Sequence, residues 1–443
     1  MASLRERGAR WLRGELPTLV ASGTISAETA RALEQYYAPK EGESRNTAFI
    51  VLATIGSALV AAGIILLIAH NWDELSRATR SVIAFLPLIA AQLLTAFVLM
   101  RRDDSRPWRE AASIFNVAAI GTAIALISQT YQIHGSFANF VLTWMLLSIP
   151  LVYLMRTTLG AITYVIGSIV WITSHHSPRY GSGPLAFWLL VLLVVPYVVA
   201  VYRRERSSHE TTVLCTILAI ALGFGLGFTA EYTHAHIGVL AFAGLFAATY
   251  ICGIELFPES ERDRLHPLTT FGAIAIGGMA VVFTFEELWR FSYSSSVPEG
   301  WARSLGVIIQ LLFPLAALAL AAWSFVRRTV HFSILAAALP VVAAIGWGLT
   351  RSCALSHDDH CSFAAALLFD VYAFALGVEL IARGLRADST ARTNFGLIVI
   401  AALAVARFFD SDLSFVVRAV GFIVIGLGFL FTNLVLFKKR RPA

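Results

Sequence analysis

The side chains best equipped for chemistry in this chain gather in short segments between long apolar runs. These segments are His70-Asn71-Trp72-Asp73-Glu74, Gln129-Thr130-Tyr131-Gln132-Ile133-His134, Glu231-Tyr232-Thr233-His234-Ala235-His236, Glu286-Glu287 and His357-Asp358-Asp359-His360. Imidazole changes charge near neutral pH and ligates transition metals, and a neighbouring carboxylate tunes both properties. His357 and His360 with Asp358 and Asp359, together with His234 and His236 and the pair His175-His176, supply enough nitrogen and oxygen for zinc or nickel. No long zincin or finger spacing fixes these loops to one another. Solvated loop histidines are therefore the simpler reading, no metal is assigned, and His357, His360, His234 and His236 remain candidates. No cofactor is expected. One carboxylate stands apart: Asp370 lies about eight residues inside an apolar run, where it needs a partner or a wet cavity. Arg407 and Arg418 are its candidate partners, the choices being a structural ion pair or a proton or cation relay.

The elements that must carry these residues follow from composition. The 443 residues are 57% hydrophobic and 14% charged, whereas soluble domains spend about a quarter of their residues on charge. The net charge of +6 does not imply nucleic acid, because the basic residues are not gathered on one soluble face. They punctuate apolar runs instead, as in cytoplasmic loops of membrane proteins. The expected fold is all-α: a polytopic integral membrane protein of about fourteen transmembrane helices, with twelve or thirteen as the alternatives.

Lipid offers nothing to an unpaired backbone amide, so each crossing needs roughly 20 apolar residues in a helix. Such runs lie at about 48–69, 80–100, 111–128, 137–155, 157–173, 184–202 and 211–230. Further runs lie at about 237–257, 268–285, 305–326, 331–350, 362–381, 394–409 and 414–437. Residues 1–47 form a cytoplasmic helical segment, 48–437 the membrane domain and 438–443 a basic tail. No cleavable signal peptide is visible, because Met1–Arg45 is polar, so the run from Ala48 is expected to be a span.

Strict alternation then sorts the charges. With both termini inside, Arg101, Arg102, Arg106 and Arg109, then Arg203, Arg204 and Arg206, then Arg383, Arg386 and Arg392, and the tail Lys438, Lys439, Arg440 and Arg441 all face the cytoplasm. Eight of the eleven histidines (His70, His134, His175, His176, His234, His236, His357 and His360) fall at outer ends or in outer loops. Cys353 and Cys361 bracket one of those loops on the oxidising side, where a disulfide closes it; free thiols are the alternative. Cys215 and Cys252, inside apolar runs, pack as small hydrophobes. Glu255 and Glu379 lie near cytoplasmic ends and are expected to snorkel.

The N-terminal segment reads as two short helices. The first ends before Gly23, and Ser26 caps the second, which stops before Pro39. With Arg5, Arg7, Arg10 and Arg13 opposite its apolar stripe, the first suits anionic headgroups, or the pair docks on the protein's own loops or a protein partner. Prolines Pro87, Pro150, Pro196, Pro314 and Pro340 lie inside runs, and each permits a kink or a broken helix. Glycines Gly223, Gly225 and Gly227, and Gly421, Gly426 and Gly428, read as close-packing faces.

The first run ends in Ile64-Ile65-Leu66-Leu67-Ile68-Ala69-His70-Asn71-Trp72, and the third in Ile127-Ser128-Gln129-Thr130-Tyr131-Gln132-Ile133-His134-Gly135. On these motifs the chain resembles the bacterial predicted membrane proteins of domain of unknown function 2157. That family has an N-terminal helical segment similar to Leu16 to Tyr37, with its Gly-x-Ile-Ser turn at Gly23 to Ser26. The resemblance extends over about residues 10 to 155 and is fainter at Arg407-Phe408-Phe409-Asp410. It implies a membrane location and points to these outer-end residues, and it brings no catalytic residues.

The expected substrate or ion path comprises His70, Asn71, Trp72, Gln129, Tyr131, His134, Asp370, Arg407, Asp410 and Arg418. Many helices, short loops, mid-span prolines and a buried acid suit a transporter, flippase or permease in a bacterial inner membrane. Its ligand would be a small molecule or lipid. No ATP-binding motif is present, so such transport would be secondary or passive. An enzyme is the alternative, because Asp73 and Glu74 resemble the acidic pair in the first outer loop of lipid-dependent membrane glycosyltransferases. A sensor or assembly scaffold that holds its partner on the N-terminal helices is the third class.

Overall fold

In the computed structural model the described residues are 15–36, 72–174, 183–206, 208–233, 237–257, 266–290, 301–327, 332–354, 360–387 and 389–408, with a few isolated positions such as Leu12 and Val416. They are helical throughout, with no strand among them. The runs expected at 48–69 and 414–437 lie outside the described residues, apart from isolated positions of the second.

Residues 1–80 form one compact unit and 81–443 another. In the first unit, helix α1 covers residues 15–21 and α2 covers Ala27–Tyr36. The turn between them is built as its residues dictate. Gly23 takes a φ of 70°, the left-handed conformation that ends helices, and the Thr24 amide returns to the Leu19 carbonyl at 3.0 Å. Ser26 Oγ then accepts the Thr29 amide at 3.1 Å, capping α2. A short 3-10 turn, Trp72–Glu74, leads into the long helix α3, Arg77–Arg101.

The second unit continues with α4 (Arg106–Thr130), α5 (Phe137–Met155), α6 (Thr158–Ser174), α7 (Gly183–Arg204), α8 (His209–Thr233), α9 (Gly238–Glu255) and α10 (Pro267–Val282). After the single turn α11 (Glu287–Arg290) come α12 (Trp301–Val326), α13 (Ile334–Ala337), α14 (Leu339–Ala354), α15 (His360–Arg386) and α16 (Thr390–Phe408). Nine of the described helices are long and apolar enough to cross a membrane, and α6 and α10 are shorter apolar helices. The chain is thus a polytopic α-helical membrane protein. The run expected at 331–350 is not one helix: it breaks after Ala337 and restarts at Leu339, with Pro340 in the new first turn. Proline is tolerated there because the first amides of a helix have no internal partner.

Among the described residues, two small apolar cores and two large ones hold this unit. One joins α5, α6, α7 and α8 through Val141, Met145, Tyr164, Trp171, Phe187 and Val194. The other joins α9, α10, α14 and α15 through Ile251, Ile276, Leu339, Phe369 and Leu376, with Trp289 of α11 inserted. Small residues let backbones meet where lipid gives no hydrophobic incentive to pack. A Cβ on Gly244 of α9 would stand 2.2 Å from the Pro314 nitrogen of α12, and one on Gly272 of α10 would stand 2.6 Å from the Tyr250 nitrogen of α9. Of the first expected glycine face, Gly225 is pressed on Phe187, whereas Gly223 and Gly227 make ordinary contacts.

Polar contacts between helices join like ends. Thr158 at the start of α6 meets Glu110 near the start of α4 and Glu210 at the start of α8. Thr212 of α8 meets His266 before α10, and Ser333 before α13 meets Glu379 late in α15. At the opposite ends, Gln310 early in α12 meets Thr233 closing α8, and Arg407 closing α16 meets Asp370 in the first half of α15. This is the pairing that strict alternation of crossings requires.

Candidate functional site

Asp370 and Arg407 are the members of the expected path that the structure joins. Arg407 Nε donates to Asp370 Oδ1 at 2.9 Å. The same guanidinium donates to the backbone carbonyl of Thr284, two residues beyond α10. One cation therefore ties three helices: α15 by its carboxylate, α16 by its own backbone and α10 by its C-terminal end, where unpaired carbonyls favour positive charge. Each side chain keeps 26% of its surface accessible, so the pair is not sealed in the packing.

The local fold explains this position. After α10 the chain turns at Phe283–Glu286 and makes the single turn α11. Trp289 is fully buried there: its Nε1 donates to the Phe283 carbonyl at 2.9 Å, and its ring meets Phe283 and Phe369 at 5.3 and 5.5 Å. Phe369 precedes Asp370, so the aromatic cluster fixes the turn of α15 that presents the carboxylate. Ser362 Oγ donates to Glu286 Oε1 at 2.7 Å, a second polar tie between the same loop and α15. Glu286 belongs to one of the polar segments that the sequence displays. Thr284 and Ser362 carry no such signal, because a carbonyl acceptor or a lone hydroxyl has no sequence signature.

The remaining expected residues are placed as follows. Gln129 is exposed in the last turn of α4, and Tyr131 and His134 are exposed on the turn between α4 and α5, where Ser81 Oγ donates to Tyr131 Oη at 3.1 Å. Trp72, in the N-terminal unit, is buried at 7% exposure with the Arg80 guanidinium 5.9 Å from its ring centre. His70, Asn71, Asp410 and Arg418 lie outside the described residues, as do His234, His236 and His357 and the side chains of His360 and Cys353. Cys361 is disulfide-bonded, and Cys215 and Cys252 are free. Among the described residues no group of three or more His, Cys, Asp or Glu is placed to hold a metal ion.

At the other ends of the helices, carboxylates act as caps. Glu110 Oε1 and Oε2 accept the Thr158 and Leu159 amides at 2.8 and 2.9 Å, satisfying the start of α6. Arg106 bridges Glu110 at 3.9 Å and also pairs with Glu210. Glu379 does not snorkel. It accepts Ser333 Oγ at 2.6 Å and the Leu335 amide at 3.3 Å, donors that the open start of α13 supplies, and Arg383 Nη1 at 3.2 Å. His266 caps α10 with Nδ1 accepting the Leu268 amide at 3.3 Å, and its Nε2 lies 3.0 Å from Thr212 Oγ1. Burial holds the His266 imidazole below its ordinary pKa of 6.5.

No curated protein and no solved structure matches this chain. Residues 17–161 match the model of the family described as Predicted membrane protein (DUF2157), the family whose motifs His70-Asn71-Trp72 and Gln129 to His134 resemble, and over that stretch the chain is similar to it.

Proposed function

We propose that this protein is a secondary or passive transporter, of flippase or permease type, in a bacterial inner membrane, with both termini cytoplasmic and the Asp370–Arg407 pair on its path. The observation that carries the reading is a carboxylate within a membrane helix whose partner also grips the end of a third helix. Ionisable side chains inside spans are costly and mark ion or substrate routes by default. Protonation of Asp370 removes its charge and weakens its bond to Arg407, whose contact with the Thr284 carbonyl does not depend on that charge. The tie between α15 and α16 then loosens while that between α16 and α10 remains, which is a two-state element of the kind alternating access needs.

Flux into proteoliposomes of the full chain tests this, with Asp370→Asn as the variant. The relay reading expects transport, or its coupling to a proton gradient, to fall at least tenfold with insertion unchanged. Unchanged flux in the variant removes the relay.

A further inference from the structure

The ends of α3, α4 and α5 meet around one small apolar plug. Val98 near the end of α3, Ala112 early in α4 and Met155 closing α5 pack together there, each fully buried. The chain sets arginine beside every member of this plug. Arg101 and Arg102 follow Val98 by one turn, Arg106 and Arg109 precede Ala112 within two turns, and Arg156 follows Met155 directly. Arg101, Arg102, Arg106 and Arg156 are exposed, and Arg109, in the first turn of α4, is half-buried. Arg156 ends α5 in the left-handed conformation, with a φ of 51°.

The carboxylates at these ends do not balance that charge. Glu110 accepts the Thr158 and Leu159 amides and is bridged by Arg106, while Glu210 pairs with Arg106 and accepts Thr158 Oγ1 at 3.0 Å. Arg106 thus answers for both. Arg101, Arg102, Arg109 and Arg156 are left with Asp103 and Asp104, which lie in the exposed turn beyond the helix ends. Arg109 is the most demanding of the four. Its Nε is buried with no hydrogen-bond partner, so part of a permanent cation is withdrawn from water without an acceptor. Ser105 adds no side-chain cap to the start of α4, where the helix dipole is positive.

Next to the arginines the surface of α3 is apolar. Leu93, Phe97 and Met100, one helical stripe that runs up to Arg101, are exposed, and the exposed ring of Trp108 meets Phe97 edge-on at 6.4 Å. On a membrane helix such a stripe suits acyl chains, and an exposed tryptophan belongs at the level of the headgroups. Guanidinium forks match phosphate oxygens there. A free phosphate would use the arginines and leave the stripe unmet, whereas a phospholipid uses both. It needs no enclosed cavity, because its tails stay in the bilayer. We infer that the joined ends of α3, α4 and α5 bind the phosphate headgroup of an anionic phospholipid, with Arg109 and Arg156 pairing the phosphate and the acyl chains along Leu93, Phe97 and Met100. This site is separate from the Asp370–Arg407 pair and does not rest on the transport reading.

Thermal unfolding of the full chain in phosphatidylcholine nanodiscs tests it, with phosphatidylglycerol added in steps at constant ionic strength and, in a parallel series, inorganic phosphate in place of the anionic lipid. Ligand that binds only the folded state raises Tm in a saturable way. The expected result is a rise of about 2 °C or more with phosphatidylglycerol and none with phosphate. Arg109→Gln with Arg156→Gln should abolish the rise. Arg203→Gln with Arg204→Gln removes the same charge from the end of α7 and should keep it. If the first pair does not melt cooperatively, Arg102→Gln with Arg156→Gln, both at exposed positions, replaces it and should weaken lipid affinity at least threefold. No rise with phosphatidylglycerol, an undiminished rise in the substituted site, or an equal loss in the α7 pair overturns the inference. An equal rise with inorganic phosphate overturns it too, since the ligand would then be a free anion.

Discussion

Asp370 and Arg407 form a pair whose members fail differently alone and together. Removing one leaves a charge in the bundle and costs about 3–5 kcal/mol, whereas replacing both with apolar residues of similar size can be nearly neutral. Arg407→Leu is therefore expected to lower Tm sharply, and Asp370→Leu with Arg407→Leu to recover most of the loss. Thermal unfolding of the two singles and the double gives the coupling, and additive losses would mean that the pair is not formed. His266 carries the pH dependence. Its Nδ1 must be unprotonated to accept the Leu268 amide, and its folded pKa lies below 6.5. Between those values the unfolded chain binds more protons, so stability should be full above about pH 6.5 and fall as pH drops below it. His266→Asn, which can cap without titrating, should flatten that slope in a Tm series from pH 7.5 to 5. At this scale the sequence was partly legible. Asp370 announced itself because a carboxylate is conspicuous in an apolar run, and Arg407 was one of two proposed partners. Gln310 passed unnoticed because an uncharged amide hardly interrupts such a run. Thr284 acts through its backbone, which no residue type reports.

At the scale of elements, apolar length located most of the described long helices. The runs expected at 111–128 and 211–230 are the cores of α4 and α8, which extend further at both ends into polar residues. Polar ends stay helical because carboxylates and hydroxyls from other helices cap them, a contact that hydropathy does not register. Glu110 shows this most directly, being 48 residues from the amide it accepts. Glu110→Ala should cost about 2 kcal/mol, since two charge-assisted bonds are lost at the start of α6. A Tm equal to that of the unmodified protein would contradict this cap. The packing of α9 on α12 sets a second expectation. Gly244→Ala places a methyl group within 2.5 Å of main-chain atoms that cannot rotate away, so it should cost about 3 kcal/mol or abolish cooperative melting.

Across the whole molecule, charge and contact speak to the same arrangement. The basic clusters near Arg106, Arg204 and Arg383 fall at the helix ends where Glu110 and Glu379 make their caps and Glu210 pairs with Arg106, while Asp370, Arg407 and Thr284 fall at the opposite ends. In the proposed topology the first is the cytoplasmic side, on the ground of the excess of Arg and Lys there. The segment that matches the family model, residues 17–161, carries the motifs at His70–Trp72 and Gln129–His134, and the latter covers the exposed end of α4 and the turn after it. The proposed path therefore requires that turn and the loop before Arg106 to be on opposite sides of the bilayer. Single cysteines in place of Asp103 and His134, labelled in intact cells with a membrane-impermeant maleimide, measure this directly. The His134→Cys protein is expected to label at once and the Asp103→Cys protein only after permeabilisation; labelling of both from one side would rule out the proposed topology.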